Sequence, residues 1–146
     1  MEQQNSLGRI IACLHQQARS YFEKKLVPFH LGSGTLPVLM TLLRHDGMNQ
    51  QELSERLHVD KATTTRAITK LIKEDYVTRE TDPQDHRAYR LFVTQKARKT
   101  APEIQKVLSS WTEILAEGFT PEEKTTTLIL LQRLRDNALR YKAEHP

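Results

Sequence analysis

The sequence predicts a mainly α-helical chain that carries one small β-hairpin. Three observations support this prediction. Apolar residues recur at three- and four-residue intervals over most of the chain, and two short helical segments meet at a tight turn near residue 60. Two segments in which apolar and polar residues alternate then follow, one on each side of a polar turn. A helix, a turn, a second helix and a hairpin in that order form a winged helix-turn-helix. Its predicted limits are residues 35–94, and helical segments at residues 5–30 and 95–146 flank it within one domain, residues 1–146.

The N-terminal segment predicts one long amphipathic helix over about residues 6–29. Its apolar residues are Leu7, Ile10, Ile11, Leu14, Ala18, Tyr21, Phe22, Leu26 and Phe29, at helical spacing. A helix with such a stripe needs another surface to cover it. Residues 30–34 then interrupt the pattern, and Pro37 lies near the start of a further helix that ends at Asp46 and Gly47.

The next two helices are short and lie close together in the chain. Asn49 is a good N-cap for the first, in which Leu53 and Leu57 lie one turn apart on the apolar side. The pattern then breaks, and Asp60 is a good N-cap for the second helix, predicted over residues 61–75. The apolar stripe of this second helix comprises Thr64, Ile68, Leu71 and Ile72.

The outward face of the second helix is suited to DNA. It comprises Lys61, Ala62, Thr63, Thr65, Arg66, Thr69 and Lys70, and no acidic residue occurs between Asp60 and Glu74. In a major groove Arg and Lys reach guanine acceptors or phosphates, and Thr can donate, accept or contact a thymine methyl group. A lysine run by itself is more often a solvated surface, but the helix before this one and the hairpin after it favour DNA recognition. We expect the three threonines and Arg66 nearest the bases, and Lys61 and Lys70 on phosphates.

The hairpin adds a second possible contact at its tip. Residues 76–80 and 90–94 alternate as strands, and a polar turn connects them. Asp85 and Arg87 are two residues apart, so on an extended segment their side chains leave from one face. Asp85 could orient the Arg87 guanidinium for a narrow minor groove, or the two could form an ordinary ion pair; spacing alone does not decide between these readings.

The C-terminal part predicts further helices. Thr94 can cap the first, and Thr100 can cap a second start that Glu103 completes as a capping box. Pro102 therefore marks either a helix start or a kink in one longer helix. Thr120, followed by Pro121 and by a glutamate at position 123, begins the last helix. The apolar stripes of this part are Ala101, Ile104, Leu108, Trp111 and Leu115, and then Leu128, Leu131, Leu134, Ala138 and Tyr141.

The terminal helices carry more apolar surface than one small winged domain can cover. A two-fold interface built from both chain ends would bury this surface in a homodimer. Such a dimer would also set two recognition helices about 34–36 Å apart, one turn of duplex. A compact monomeric helical bundle is the alternative.

The central sequence resembles the multiple-antibiotic-resistance regulator (MarR) family of bacterial and archaeal transcription factors. The resemblance covers nearly the whole chain and is most specific in a Thr-Arg recognition helix (Thr65, Arg66), a Val-x-Arg strand ending at Arg79, and an Asp-x-Arg wing (Asp85, Arg87). It implies an obligate homodimer on a pseudo-palindromic double-stranded DNA operator, usually as a repressor released by a small ligand. Asp75 and Ala97 stand where family members commonly have glycine.

The resemblance also implies a small-molecule effector, such as a phenolic or aromatic acid, between the dimer helices and the winged motif. Arg9, His15 and Arg19 on the first helix are candidates to receive its carboxylate, although salt bridging or solvation accounts for them equally well. Some family members sense peroxides through a cysteine in this helix. Cys13 lies between two apolar residues with no activating neighbour, so a packed, inert cysteine is expected.

Composition and motifs argue against several other classes. A single cysteine cannot form an intramolecular disulfide and suits a reducing cytoplasm. The first ten residues lack the pattern of a signal peptide, and no apolar run reaches the ~18 residues of a membrane helix. No two histidines have the i, i+4 spacing of a helical metal pair, and no nucleotide-binding or nucleophile motif occurs. We expect a cytoplasmic, non-enzymatic protein without metal or cofactor.

Winged helices also serve as protein docking modules, so DNA binding has one rival function. The net charge of +4 is compatible with a polyanionic partner without requiring one. Residues 48–94 contain eight basic and eight acidic side chains, so a positive field must come from their placement. The uninterrupted basic face of the second helix favours DNA over a docking role.

Overall fold

A computed structural model describes residues 6–146, which divide into two compact units between Ser109 and Ser110. Within these residues the chain forms six α-helices and a three-stranded antiparallel sheet. The mainly helical architecture with a small hairpin is therefore confirmed. Residues 1–5, which include the start of the predicted 5–30 segment and part of the stretch assessed for a signal peptide, lie outside the described residues.

The first helix, α1, spans Leu7–Lys25 and is shorter than predicted. Ser6 caps it, since its Oγ accepts a hydrogen bond from the Arg9 amide at 3.2 Å. The helix does not continue to residue 29 because Pro28 has no amide hydrogen and its ring would clash with the carbonyl one turn earlier. Val27–Phe29 form a single 3₁₀ turn instead.

Three short helices and a short strand follow: α2 (Leu36–Arg44), β1 (Met48–Asn49), α3 (Gln50–Leu57) and α4 (Lys61–Lys73). The predicted N-caps of α3 and α4 are confirmed. Asn49 Oδ1 accepts from the Glu52 amide at 2.8 Å, and the Glu52 carboxylate accepts from the Asn49 amide at 3.2 Å, which completes a capping box. Asp60 Oδ1 accepts from the Thr63 amide at 2.7 Å.

Helix α4 ends two residues before its predicted limit. Lys73 is its last residue, and Asp75 adopts a left-handed conformation with φ of 62°. This conformation favours glycine, the residue that the family resemblance implies at this position. Aspartate tolerates it better than most residues do.

The sheet consists of β1, β2 (Val77–Thr81) and β3 (Tyr89–Val93) in the order β1-β3-β2. Val77 lies opposite Val93, and Met48 of β1 lies opposite Leu91. The sequence did not predict β1, because two residues are too few to show an alternating pattern. The turn before β1 needs Gly47, which has φ of 80° and at which an added Cβ would lie 3.1 Å from the Phe92 ring.

The buried core of the first unit lies between the helix-turn-helix, the sheet and the start of α5 (Gln95–Leu115). Its buried members are Leu26, Leu31, Leu36, Val38, Leu39, Leu42, Leu53, Ala67, Ile68, Leu71, Tyr76, Val77, Leu91, Val93, Ala97 and Ile104. This core fixes the inner side of α4 and therefore determines which of its residues face outward.

Pro102 lies within one continuous helix, α5. Thr94 caps its start as predicted, since Thr94 Oγ1 accepts from the Ala97 amide at 3.2 Å. Of the two alternatives that the sequence left open, the second helix start at Thr100 is not found, because the Thr100 hydroxyl donates to the Lys96 carbonyl at 2.8 Å as an interior helical residue does. Ala97, at the position where the family resemblance implies glycine, is fully buried, so its methyl group packs in the core.

The last helix, α6, spans Pro121–Glu144 in the second unit. The predicted capping box at Thr120 is confirmed, with Thr120 Oγ1 accepting from the Glu123 amide at 3.1 Å and the Glu123 carboxylate accepting from the Thr120 amide at 2.9 Å. Neither α1 nor α6 contains a buried residue. Several large apolar residues of both helices are exposed in the single chain: Leu7, Ile10, Ile11 and Leu14 on α1, and Leu128, Ile129, Leu130, Leu131 and Tyr141 on α6.

Candidate nucleic-acid interface

The inner side of α4 is attached to α3 by a hydrogen bond as well as by apolar packing. Thr64 is fully buried, its hydroxyl donates to the Asp60 carbonyl at 3.0 Å, and it accepts from the Ser54 hydroxyl at 2.9 Å. Buried polar groups that are fully paired fix one arrangement of the elements that carry them. The orientation of α4 on α3 is therefore well determined.

The outward side of α4 is open to solvent over most of its length. Six of the seven residues predicted to face DNA are exposed: Lys61, Ala62, Thr63, Thr65, Arg66 and Thr69. The Arg66 guanidinium donates to Thr63 Oγ1 at 3.3 Å, which directs both side chains along the helix surface. The structure thus brings these residues together on one exposed helix, while their individual contacts with DNA remain predictions.

Lys70, the seventh predicted residue, is half-buried and already has a partner. Its Nζ lies 3.1 Å from Glu74 Oε1, one helical turn later. The hydrogen bond from Lys70 holds the pKa of the Glu74 carboxyl below its usual value. Lys70 must therefore leave or share this carboxylate to contact a phosphate, which Lys61 need not do.

The N-terminus of α4 is not an open anion site. Helix N-termini attract phosphate because their amide groups are unpaired and the helix dipole is positive there. Asp60 already supplies a carboxylate to this end of the helix. Positive charge for DNA must consequently come from side chains on the face of α4 rather than from its first turn.

Gln50, which no sequence pattern indicates as a functional residue, contacts the recognition face from α3. Its Nε2 donates to Thr65 Oγ1 at 2.6 Å and lies 3.4 Å from the Lys61 carbonyl oxygen. Thr65 Oγ1 also donates to that carbonyl at 2.8 Å. No local pattern could have indicated this contact, because the two side chains are fifteen residues apart in sequence.

The wing tip differs from its prediction in one bond. Asp85 Oδ1 accepts from the backbone amide of Arg87 at 3.0 Å, and the Ala88 amide donates to the Asp85 carbonyl at 2.9 Å. The predicted contact of Asp85 with the Arg87 guanidinium is not found, because an aspartate reaches the amide two residues on more easily than a mobile side-chain terminus. Asp85 thus shapes the turn, and the exposed Arg87 guanidinium has no ion-pair partner among residues 6–146.

Asp82, which is absent from the residues predicted to contact DNA, stabilises the base of the wing. It is 8% exposed, and its carboxylate accepts from the Gln84 amide at 2.9 Å and from Arg90 Nε at 3.4 Å. The Gln84 amide, and to a smaller extent the Arg90 guanidinium, holds the pKa of the Asp82 carboxyl below its usual value. An aspartate directly before Pro83 was a usable signal, since Asp-Pro favours turns with such side-chain contacts.

The three effector candidates lie on α1 and are exposed. His15 and Arg19 are one helical turn apart, whereas Arg9 lies six residues before His15 and therefore on a different part of the helix surface. Cys13, expected to be packed, is exposed in the single chain. That prediction was wrong for the single chain, in which α1 contains no buried residue.

Other site types find no support in the described part of the chain. Among residues 6–146, no three His, Cys, Asp or Glu side chains come together in a way that would bind a metal ion. None of the helices over those residues combines the length and the apolar content needed to cross a bilayer.

A helix-turn-helix whose second helix is basic and exposed, with a β-hairpin after it, defines a winged helix-turn-helix protein. The MarR family model matches residues 34–89. Over 133 residues the chain is 31% identical to YybA, an uncharacterized HTH-type transcriptional regulator of Bacillus subtilis, and the match covers 91% of this chain and 89% of that protein.

Two solved structures extend this similarity to the fold. A MarR transcriptional regulator from Methanosarcina mazei Go1 is 41% identical, with 92% of this chain and 97% of that one covered and a TM-score of 0.87. A MarR protein from Peptoclostridium difficile DA00132 is 33% identical, with 97% and 94% covered and a TM-score of 0.91. The chain belongs to the MarR family of transcriptional regulators, whose DNA-binding element is the helix-turn-helix described above.

Proposed function

We propose that two copies of this chain form a dimer that binds a pseudo-palindromic operator and represses transcription until a small ligand releases it. The observation that carries this proposal is the charge of α4, which has four basic residues and no acidic one from Lys61 to Lys73, three of them on its outward face. A face of cations, hydroxyls and small side chains fits a major groove, where both phosphates and base edges are within reach. The protein would act in the cytoplasm, where a prokaryotic chromosome is located.

The assigned roles follow from exposure and from existing partners. Thr63, Arg66 and Thr69 would lie nearest the bases, together with Thr65. Lys61 would contact a phosphate without first leaving another partner, whereas Lys70 would do so only when it separates from Glu74. Arg87 would enter the flanking minor groove, because its guanidinium is exposed at the end of a turn that Asp85 holds in shape.

The apolar surfaces of α1 and α6 support the dimer. Leu7 and Ile10 on α1 are 62% and 48% exposed, and Leu128 and Leu131 on α6 are 53% and 44% exposed. Each of the two described units thus presents an apolar stripe that its own residues leave uncovered. An isologous contact with a second copy would bury these stripes and set two recognition helices on successive turns of one DNA face.

An aromatic or phenolic acid is the proposed effector. The carboxylate of this acid would accept charge-assisted hydrogen bonds either from Arg9 or from His15 and Arg19, which lie one helical turn apart from each other. The ligand would release DNA by favouring a dimer whose half-site spacing no longer fits the operator. A calorimetric titration with salicylate-like acids tests this part, and the proposed ligand class fails if these acids neither bind nor alter DNA affinity.

The DNA-binding role is tested with two arginine variants and a site selected from a random duplex library. We expect Arg66→Ala to weaken binding to the selected site by about 1–3 kcal/mol and to change the preferred sequence. Arg87→Ala should also weaken binding, but it should change the sequence preference only at the bases that flank each half-site. Unchanged affinity in both variants would contradict the proposed interface.

The salt dependence of duplex binding separates this function from a protein docking module. A DNA-binding face releases counterions, so the affinity of the wild-type chain for nonspecific duplex should fall steeply as salt is added. A docking module should show neither this slope nor an enriched sequence.

A further inference from the structure

The side chains of Gln50 and Thr65 form one unit on the exposed surface where α3 meets α4. Gln50 is the first residue of α3, Thr65 lies in the second turn of α4, and Gln50 Nε2 and Thr65 Oγ1 are 2.6 Å apart. We propose that this pair reads one A·T base pair in each half-site, with Gln50 as a specificity-determining residue. The inference rests on the DNA-binding function proposed above.

The Lys61 carbonyl determines which way the Gln50 amide points. Gln50 Nε2 lies 3.4 Å from that oxygen while it donates to Thr65 Oγ1. If the amide were reversed, Gln50 Oε1 would face a carbonyl oxygen with no proton between the two acceptors. The amide therefore directs its N–H groups into the protein, and Oε1 has no hydrogen-bond partner among residues 6–146.

The Thr65 hydroxyl has no proton left for DNA. A hydroxyl carries a single donor, and Thr65 uses it on the Lys61 carbonyl at 2.8 Å. Its oxygen simultaneously accepts from Gln50. Thr65 consequently offers a base edge only its remaining acceptor capacity and its methyl group.

The pair thus presents acceptors and a methyl group but no donor. In the major groove, adenine presents an N6 amino donor, and its thymine partner presents the C5-methyl group. Gln50 Oε1 would accept from the adenine amino group while the Thr65 methyl contacts the thymine methyl. Guanine presents two acceptors, N7 and O6, which the acceptors of the pair would repel; cytosine has an amino donor but no methyl beside it.

Base analogues that lack a single group test the proposal position by position. The site selected by the wild-type protein is resynthesised with deoxyuridine for each thymidine, which removes only the C5-methyl, or with purine for each adenine, which removes only the 6-amino group. At one A·T pair per half-site we expect wild-type affinity to fall about threefold with deoxyuridine, from the loss of one methyl contact, and about fivefold with purine, from the loss of one hydrogen bond.

Matched variants should abolish these penalties selectively. Thr65→Ser keeps the hydroxyl and loses the methyl, so it should lose the deoxyuridine penalty and keep the purine penalty. Thr65→Val keeps a methyl group but removes the hydroxyl to which Gln50 donates. It should therefore keep the deoxyuridine penalty and lose the purine penalty. Gln50→Ala and the longer Gln50→Met lack the amide and should both lose the purine penalty, with the deoxyuridine penalty retained.

If the pair has a purely structural role, the Gln50 and Thr65 variants should bind all duplexes more weakly by the same factor and keep the wild-type analogue penalties. That result would overturn the inference. The inference is equally overturned if no A·T position in the selected site shows both penalties in the wild-type protein. In either case an enriched site and salt-dependent binding would leave the DNA-binding function intact. If the library yields no enriched sequence and duplex binding is absent, both proposals fail. Circular dichroism and thermal unfolding verify that each variant is folded.

Discussion

The hydroxyl of Thr94 donates a hydrogen bond to the backbone carbonyl of Asp75 over 2.7 Å. The Thr94 amide also donates to the Tyr76 carbonyl at 3.0 Å, and the Thr94 hydroxyl accepts from the Ala97 amide at the start of α5. One threonine therefore connects the end of the recognition helix, the end of the wing and the beginning of α5. The position of α4 relative to the wing depends on this junction.

Replacing Asp75 with glycine should stabilise the junction. Asp75 has φ of 62°, a conformation that costs a residue with a side chain about 1–2 kcal/mol. Glycine avoids this cost but loses about 0.5–1 kcal/mol more chain entropy on folding. We expect Asp75→Gly to raise the free energy of unfolding by about 0.5–1 kcal/mol in urea titrations. Lys73→Gly, at an ordinary helical position two residues earlier, is the control and should lower it; a loss of stability in both variants would contradict the prediction.

Asp82 should make the stability of the wing depend on pH. Its pKa is lower in the folded chain than in the unfolded one, chiefly because the Gln84 amide donates to the carboxylate. Stability gained in this way is fully present above the unfolded pKa of about 4 and is lost as pH falls through the lower folded pKa. We therefore expect Asp82→Asn to be less stable than the wild type at neutral pH, with the difference shrinking below about pH 4.

A second wing variant separates the two partners of Asp82. Arg90→Met removes the guanidinium but leaves the Gln84 amide, which lowers the pKa more. This variant should retain the larger part of the pH dependence. Urea titrations from pH 2.5 to 7 measure both effects, and parallel curves for the wild type and Asp82→Asn would refute the assignment.

Local signals predicted local structure well. The caps at Asn49, Asp60 and Thr120 each depend on residues within three positions of one another, and all three are confirmed. The Asp85 contact also involves nearby residues but was assigned to the wrong atom, because a rigid backbone amide is a closer partner than a flexible guanidinium. Sequence therefore indicated the turn but not its bonding.

Contacts between distant residues could not be derived in the same way. Gln50 and Thr65 meet only because α3 and α4 cross at a particular angle, and Arg90 reaches Asp82 only through the register of the hairpin. The exposure of Cys13 was missed for a related reason: an apolar stripe indicates that a helix is covered but does not say whether its own chain covers it. Tertiary and quaternary partners set these features.

Removing the carboxylate beside Lys70 should strengthen DNA binding. Lys70 and Glu74 form a partly exposed ion pair at 3.1 Å on the helix surface, and such surface pairs contribute little to folding. In Glu74→Gln the lysine is free to contact a phosphate, and the negative charge nearby is lost. We expect duplex affinity to rise about two- to fivefold at low salt, with one further counterion released in a plot of log affinity against log salt.

A double-mutant cycle tests whether this gain passes through Lys70. Lys70→Gln should have a small effect in the wild-type background and a larger one in Glu74→Gln, because only the second background has an unpaired lysine. Glu113→Gln, an exposed carboxylate on α5, controls for the change in net charge. Equal gains from Glu74→Gln and Glu113→Gln would show that the effect is nonspecific.

The apolar stripe of α6 should determine the oligomeric state. Leu128 is 53% exposed in the single chain, although a leucine gains about 1.5–3 kcal/mol from full burial. In a two-fold interface each substitution occurs twice, so a carboxylate at this position should cost about 3–6 kcal/mol per dimer, or at least a hundredfold in the dimer dissociation constant. We expect light scattering at micromolar concentration to show a dimer for the wild type and a monomer for Leu128→Glu.

Thr126→Glu, which adds the same charge about 200° around the helix from Leu128, should remain dimeric. Because one half-site holds a single recognition helix, the monomeric variant should also lose most of its affinity for a full operator while it retains salt-dependent nonspecific binding. A wild-type protein that is monomeric at this concentration, or a Leu128→Glu variant that stays dimeric and binds the operator normally, would show that this stripe does not form the dimer interface.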